Sequence, residues 1–158
     1  NETAKAWKVA IERRSGPTVL ALTRQNLPTL DSPAAVEKGA YVLKDFGKPE
    51  MILMASGSEV SLILEAAQKL AKEGKGVRVV SFPSWELFQK QDSAYRESVL
   101  PKNIQKRLAV EAGSTLGWER YAKSAIGIDH YGVSAPAKII FEKFGFTVEN
   151  VVAKAKEL

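Results

Sequence analysis

Residues 51–60 read Met-Ile-Leu-Met-Ala-Ser-Gly-Ser-Glu-Val, and this stretch decides the fold class. Met51 to Ala55 are apolar without alternation, which suits a strand covered on both faces. Ser56-Gly57-Ser58-Glu59 then opens a helix in which Val60, Ile63, Leu64, Ala67, Leu70 and Ala71 share one face. Gly74 and Gly76 close that helix just after Glu73. A buried strand running straight into a helix is the repeating unit of a parallel sheet.

Outward from this unit the alternation continues. Val77 to Phe82 reads as a strand ended by Pro83, and short helices follow around Trp85–Phe88 and Tyr95–Leu100. Arg107 to Val110 is the next strand, Leu116 to Ala122 a short helix, and Ala125 to Ile128 the last strand. Ser134 is expected to cap a helix with Pro136 in its first turn and Ile139, Ile140 and Phe144 inward. Thr147 caps a final helix whose stripe is Val148, Val151, Val152 and Ala155. On the upstream side, Ala40 to Leu43 reads as a short strand, short enough that it could pair antiparallel at an edge. The expected fold is α/β: a three-layer domain with a mostly parallel sheet of about five strands and one antiparallel edge strand.

The first residues do not fit that domain. Glu2 to Arg14 reads as an amphipathic helix with Ala6, Trp7, Ala10 and Ile11 on one face, and Gly16-Pro17 stops it. Val19 to Leu22 then suits a buried strand, but one helix and one strand cannot bury their own faces. Asn26 to Val36, with prolines at Pro28 and Pro33 and no periodicity, reads as a linker. The pattern predicts a helix–strand remnant of another domain over residues 1–25, a linker over 26–36, and the α/β domain over 37–158.

Composition narrows the function. A chain of 158 residues with 45% hydrophobic residues can bury a core but not two full-sized ones. Cysteine is absent, so disulfides and thiolate metal sites are excluded, and one histidine, His130, speaks against a His-rich metal site. The net charge of +5 comes from interleaved charges, which prompts an anionic ligand rather than nucleic acid. No apolar run is long enough to span a membrane, and no signal peptide is visible. A cytoplasmic globular fragment is the expectation.

Four places could carry chemistry. Ser56-Gly57-Ser58-Glu59 sits where a strand meets a helix, a natural anion site; a capping box between Ser56 and Glu59 is the favoured reading. Glu111, at a strand's carboxyl end, could hold a ribose or act as an acid, or cap a helix or pair with an arginine. Asp129-His130 reads as a surface turn, since no nucleophile is tied to it. Arg24, at the end of the first strand, offers forked donors to a phosphate or carboxylate, with an interdomain salt bridge as the equal alternative.

The wording of several blocks resembles transketolases. Gly16–Pro28, with its Thr23-Arg24-Gln25-Asn26 core, is similar to the end of their pyrimidine-binding domain. Gly39–Lys44, Ala55–Val60, Arg78–Ser84, Gln91–Pro101, Ser134–Pro136 and Phe144–Val152 look like successive blocks of their C-terminal domain. The resemblance implies a Rossmann-like C-terminal portion of a dimeric thiamine-diphosphate enzyme. That enzyme carries a divalent cation (Mg or Ca) and moves a two-carbon ketol unit between sugar phosphates of the pentose phosphate pathway. It further implies that Arg24 binds the terminal phosphate of the sugar. Cofactor, metal and catalytic groups belong to sequence upstream, so no catalytic, cofactor-binding or metal-binding residue is expected here and the fragment alone is expected to be inactive. Its partners are then the rest of the chain and a second subunit, with no nucleic acid and no membrane. The alternative reading is an autonomous binding or regulatory module for a nucleotide or phosphorylated effector near Ser58, Glu111 and Asp129.

Overall fold

All five residues of Met51–Ala55 are buried, and they face two different cores. Met51, Leu53 and Ala55 point to one side of the sheet, while Ile52 and Met54 point to the other. That is why the run shows no polar alternation. The computed structural model describes residues 1–30 and 35–158, so Asp31 to Ala34 of the expected linker lie outside the described residues.

Strands β1 (Tyr41–Phe46), β2 (Met51–Ala55), β3 (Val77–Ser81), β4 (Lys106–Val110) and β5 (Ser124–Ile126) form one sheet in the order β1-β3-β2-β4-β5. β1 pairs antiparallel with β3 at the edge, with a register shift between Val42 and Lys44, and every other pairing is parallel. The helices are α1 (Glu2–Glu12), α2 (Glu59–Lys72), α3 (Trp85–Gln89), α4 (Ser93–Val99), α5 (Ala137–Lys143) and α6 (Val148–Lys156).

α2 and α6 cover one face and pack on each other, burying Val60, Ile63, Leu70, Val151 and Val152. The other face is covered by α3, α4 and a 3₁₀ turn at Trp118–Arg120. There Phe82 meets Phe88 edge-on at 4.9 Å and Trp118 at 5.7 Å between ring centres. Close approach fixes one entry point: Gly39 has φ 86°, and a Cβ on it would lie 2.3 Å from Ser84 O and Phe88 N. The expected three-layer architecture and its antiparallel edge are what the chain forms.

Three local expectations are corrected. Val19 to Leu22 joins no ladder among the described residues, and Val19 is 87% exposed; a strand needs a neighbour's N–H and C=O groups, and no described strand pairs with it. The capping box at Ser56 does not form: Ser58 is the N-cap of α2, without a side-chain cap bond, because Ser56 is drawn to Glu111 instead. Ser134 does not cap α5, which starts one residue after Pro136; Ile139 turns outward and Phe141 packs on the core. At Thr147 the cap holds, its hydroxyl accepting from Asn150 N at 3.2 Å.

Candidate functional site

Parallel strands deliver their carboxyl ends, and the loops that follow them, to one edge of the sheet. After β2 the chain turns through Ser56–Ser58, and after β4 through Glu111 and Ala112. β2 and β4 are neighbours, Ala55 opposing Val110, so the two loops meet. They are cross-braced. Ser56 Oγ donates to Glu111 Oε2 at 2.7 Å, and Ala112 N donates to Glu59 Oε2 at 3.0 Å. The other oxygen of Glu59 accepts from Ser58 Oγ.

Both carboxyls titrate high. Glu59 is 2% exposed, and burial pushes it up although Ser58 and the Ala112 amide partly offset this. Glu111 is pushed up to about 7, first by burial and then by the charge of Glu59, against the bonds from Ser56. An acid near neutrality at a strand end is a familiar functional sign, and a braced structural pair produces the same shift.

Above these loops lies a cleft of about 850 Å³, roofed by parts of residues 1–6 and 19–30. Glu2, Glu59 and Glu111 all line it, with hydroxyls from Tyr41, Ser56, Ser58 and Ser61, and among the described residues no Lys or Arg does. A nucleotide or phosphorylated effector there would meet carboxylates where it needs cationic or N–H donors. A shallower depression of about 280 Å³ shares Ser56 and Glu111 and is walled by Phe82, Trp85 and Trp118.

The remaining expected residues stand apart from this cleft. Asp129 accepts from Ser114 Oγ at 3.0 Å, Thr115 N at 2.8 Å and Thr115 Oγ1 at 2.7 Å, which hold its carboxyl below the usual range and tie two loops together. His130 engages its Nδ1 with the Tyr131 carbonyl at 2.8 Å and sets its ring edge-on to Phe144. Arg24 sits in an exposed bend and makes no hydrogen bond or ion pair with a described residue. Thr23 Oγ1 accepts from Gln25 N at 3.4 Å within the same bend.

Sequence reasoning missed one constellation. Glu2 Oε1 accepts from Tyr41 OH at 2.8 Å and from Ser81 Oγ at 2.6 Å. Nothing in the spacing of three residues so far apart in the chain signals their convergence. Burial, and then the charge of Glu2, holds the Tyr41 hydroxyl well above its ordinary pKa.

Comparison with known proteins gives a consistent match. Residues 39–147 match the family model described as the transketolase-like TK C-terminal domain. A transketolase of Nostoc sp. is 55% identical over 100% of this chain and 25% of its own length. A chloroplastic transketolase of Zea mays is 51% identical over 99% of this chain and 24% of its own. A crystal structure of the Pichia stipitis transketolase in complex with sedoheptulose 7-phosphate superposes with a TM-score of 0.92 at 42% identity. It covers 99% of this chain and 23% of that one. The chain thus spans about a quarter of the length of these two curated relatives.

Proposed function

Because this chain belongs to the transketolase-like TK C-terminal domain family, we propose that it works as the C-terminal part of a transferase that moves a two-carbon ketol unit between sugar phosphates. In this reading residues 1–25 end the pyrimidine-binding domain, 26–36 are a linker and 37–158 form the C-terminal domain. The longer chain assembles with a second subunit. The apolar side chains of Trp7, Ile11, Val19 and Leu22, exposed in this chain, support a covering partner in that longer chain.

The observation that carries the reading is the guanidinium of Arg24, exposed on its bend and unpaired with any described residue. Such a group meets a terminal phosphate with two parallel N–H donors and keeps its charge at every relevant pH. Binding energy collected at the remote phosphate orients the reacting end of the sugar. The relative solved with sedoheptulose 7-phosphate is consistent with that substrate class.

Thiamine diphosphate and its divalent cation do not fit the described residues. Among the described residues the large cleft presents carboxylates and no Lys or Arg side chain to a diphosphate, and no three His, Asp or Glu gather as a metal requires. Both are assigned to the remainder of the longer chain. No helix among the described residues is long and apolar enough to cross a membrane. Cytoplasmic residence is part of the proposal, and since a relative is named chloroplastic, fractionation decides it.

Arg24→Ala in the full-length enzyme tests the substrate role. KM for phosphorylated sugars is expected to rise about tenfold or more, equivalent to a lost charge-assisted contact. KM for unphosphorylated analogues is expected to stay. Equal effects on the two substrate types would refute it.

A further inference from the structure

Tyr41 and Ser81 are opposed residues of the β1–β3 ladder, 4% and 0% exposed. Their hydroxyls leave the sheet edge side by side and converge on one atom, Glu2 Oε1. Two donors from adjacent strands aimed at a single carboxylate oxygen form a receptor for an acceptor brought in from elsewhere in the chain. The occupant comes from the first turn of α1, outside the sheet. A second tie closes the same segment: Asn1 Nδ2 donates to Leu30 O at 3.0 Å, and Leu30 packs against the core beneath α2 and α6. The stretch that bears Arg24 is therefore fastened at both ends to the α/β domain, while Arg24 itself stays exposed between them.

We propose that Glu2 is a positioning residue: held by Tyr41 and Ser81, it locks the amino-terminal segment onto the α/β domain and so fixes where the Arg24 guanidinium meets a sugar phosphate. This rests on the phosphate reading of Arg24. It gives the α/β domain a duty in substrate binding without any contact to substrate. A segment ordered beforehand spares the binding step the entropy of ordering it, so the effect falls on affinity rather than on the chemical step.

The test uses the full-length enzyme with Glu2→Ala, the pair Tyr41→Phe with Ser81→Ala, and Glu2→Gln, which keeps an acceptor oxygen. Amide hydrogen exchange across residues 2–12 is expected to quicken about tenfold in the first two, with β2 and β4 unchanged. KM for phosphorylated substrates is expected to rise severalfold at constant kcat, unphosphorylated analogues to be unaffected, and Glu2→Gln to restore most of both readouts. Unaltered exchange in α1 overturns the latch. A kcat loss, or equal KM changes on both substrate types, overturns the positioning role. Arg24→Ala measured alongside separates the failures: if it fails to discriminate the substrates, the phosphate reading falls and the positioning role with it, whereas exchange still reports on the latch.

Discussion

Glu111 keeps its proton to near neutrality because the fold half-buries it near the carboxyl of Glu59. The consequence for stability has a definite sign. The folded protein titrates this group at about 7, the unfolded chain near 4.5, so between those values only the folded state retains the proton. Stability contributed here is lost as pH rises through that window and is level above it. Glu59 acts in the same direction. Glu111→Gln should flatten the decline and raise stability at pH 8 by on the order of 1–2 kcal/mol; denaturant titrations at a series of pH values measure this. A variant as pH-dependent as the parent would show that the two loops, rather than the carboxyl, govern the trend. Gly39 is decisive for a different reason. Its positive φ and the backbone atoms of Ser84 and Phe88 leave no room for a methyl group, so Gly39→Ala should lower stability by about 2–3 kcal/mol or prevent folding. A melting temperature within a degree of the parent would contradict the close approach.

At the scale of elements, local signals succeeded where the partners are local. The cap of α6 lies within three residues of the N–H that donates to it, and Thr147→Ala should cost about 1 kcal/mol in equilibrium unfolding. The stripe Val151, Val152 and Ala155 is buried as its spacing requires. The cap expected at Ser56 failed because a carboxylate in the loop after β4 competes for its hydroxyl, which no local spacing reveals. Val19 to Leu22 carries the apolar signature of a strand, yet a strand exists only through a neighbour's N–H and C=O groups. In α5 the outward Ile139 and inward Phe141 reflect where the core lies, not the helix period. The carboxylate site was half legible: Glu59 and Glu111 stand out at strand ends, but their crossing bonds depend on β2 and β4 being adjacent.

For the whole molecule, the described core belongs almost wholly to residues from Val36 onward, with Leu30 packed at its margin. Deleting residues 1–35 should therefore leave a cooperatively unfolding domain, its Tyr41 and Ser81 hydroxyls rehydrated rather than orphaned. Calorimetry tests this, and a broad transition without an enthalpy peak would show that the amino-terminal segment is integral to the core. The sequence by itself determined the alternation of strands and helices, the two-sided burial of β2, the antiparallel edge and the family. Each of these follows from periodicity or wording along the chain. Only the tertiary structure decided the order β1-β3-β2-β4-β5, the acidic cleft at the strand ends and the meeting of Glu2 with Tyr41 and Ser81. Those depend on which distant segments become neighbours, and that choice is made by packing both faces of the sheet at once rather than by any residue's local preference.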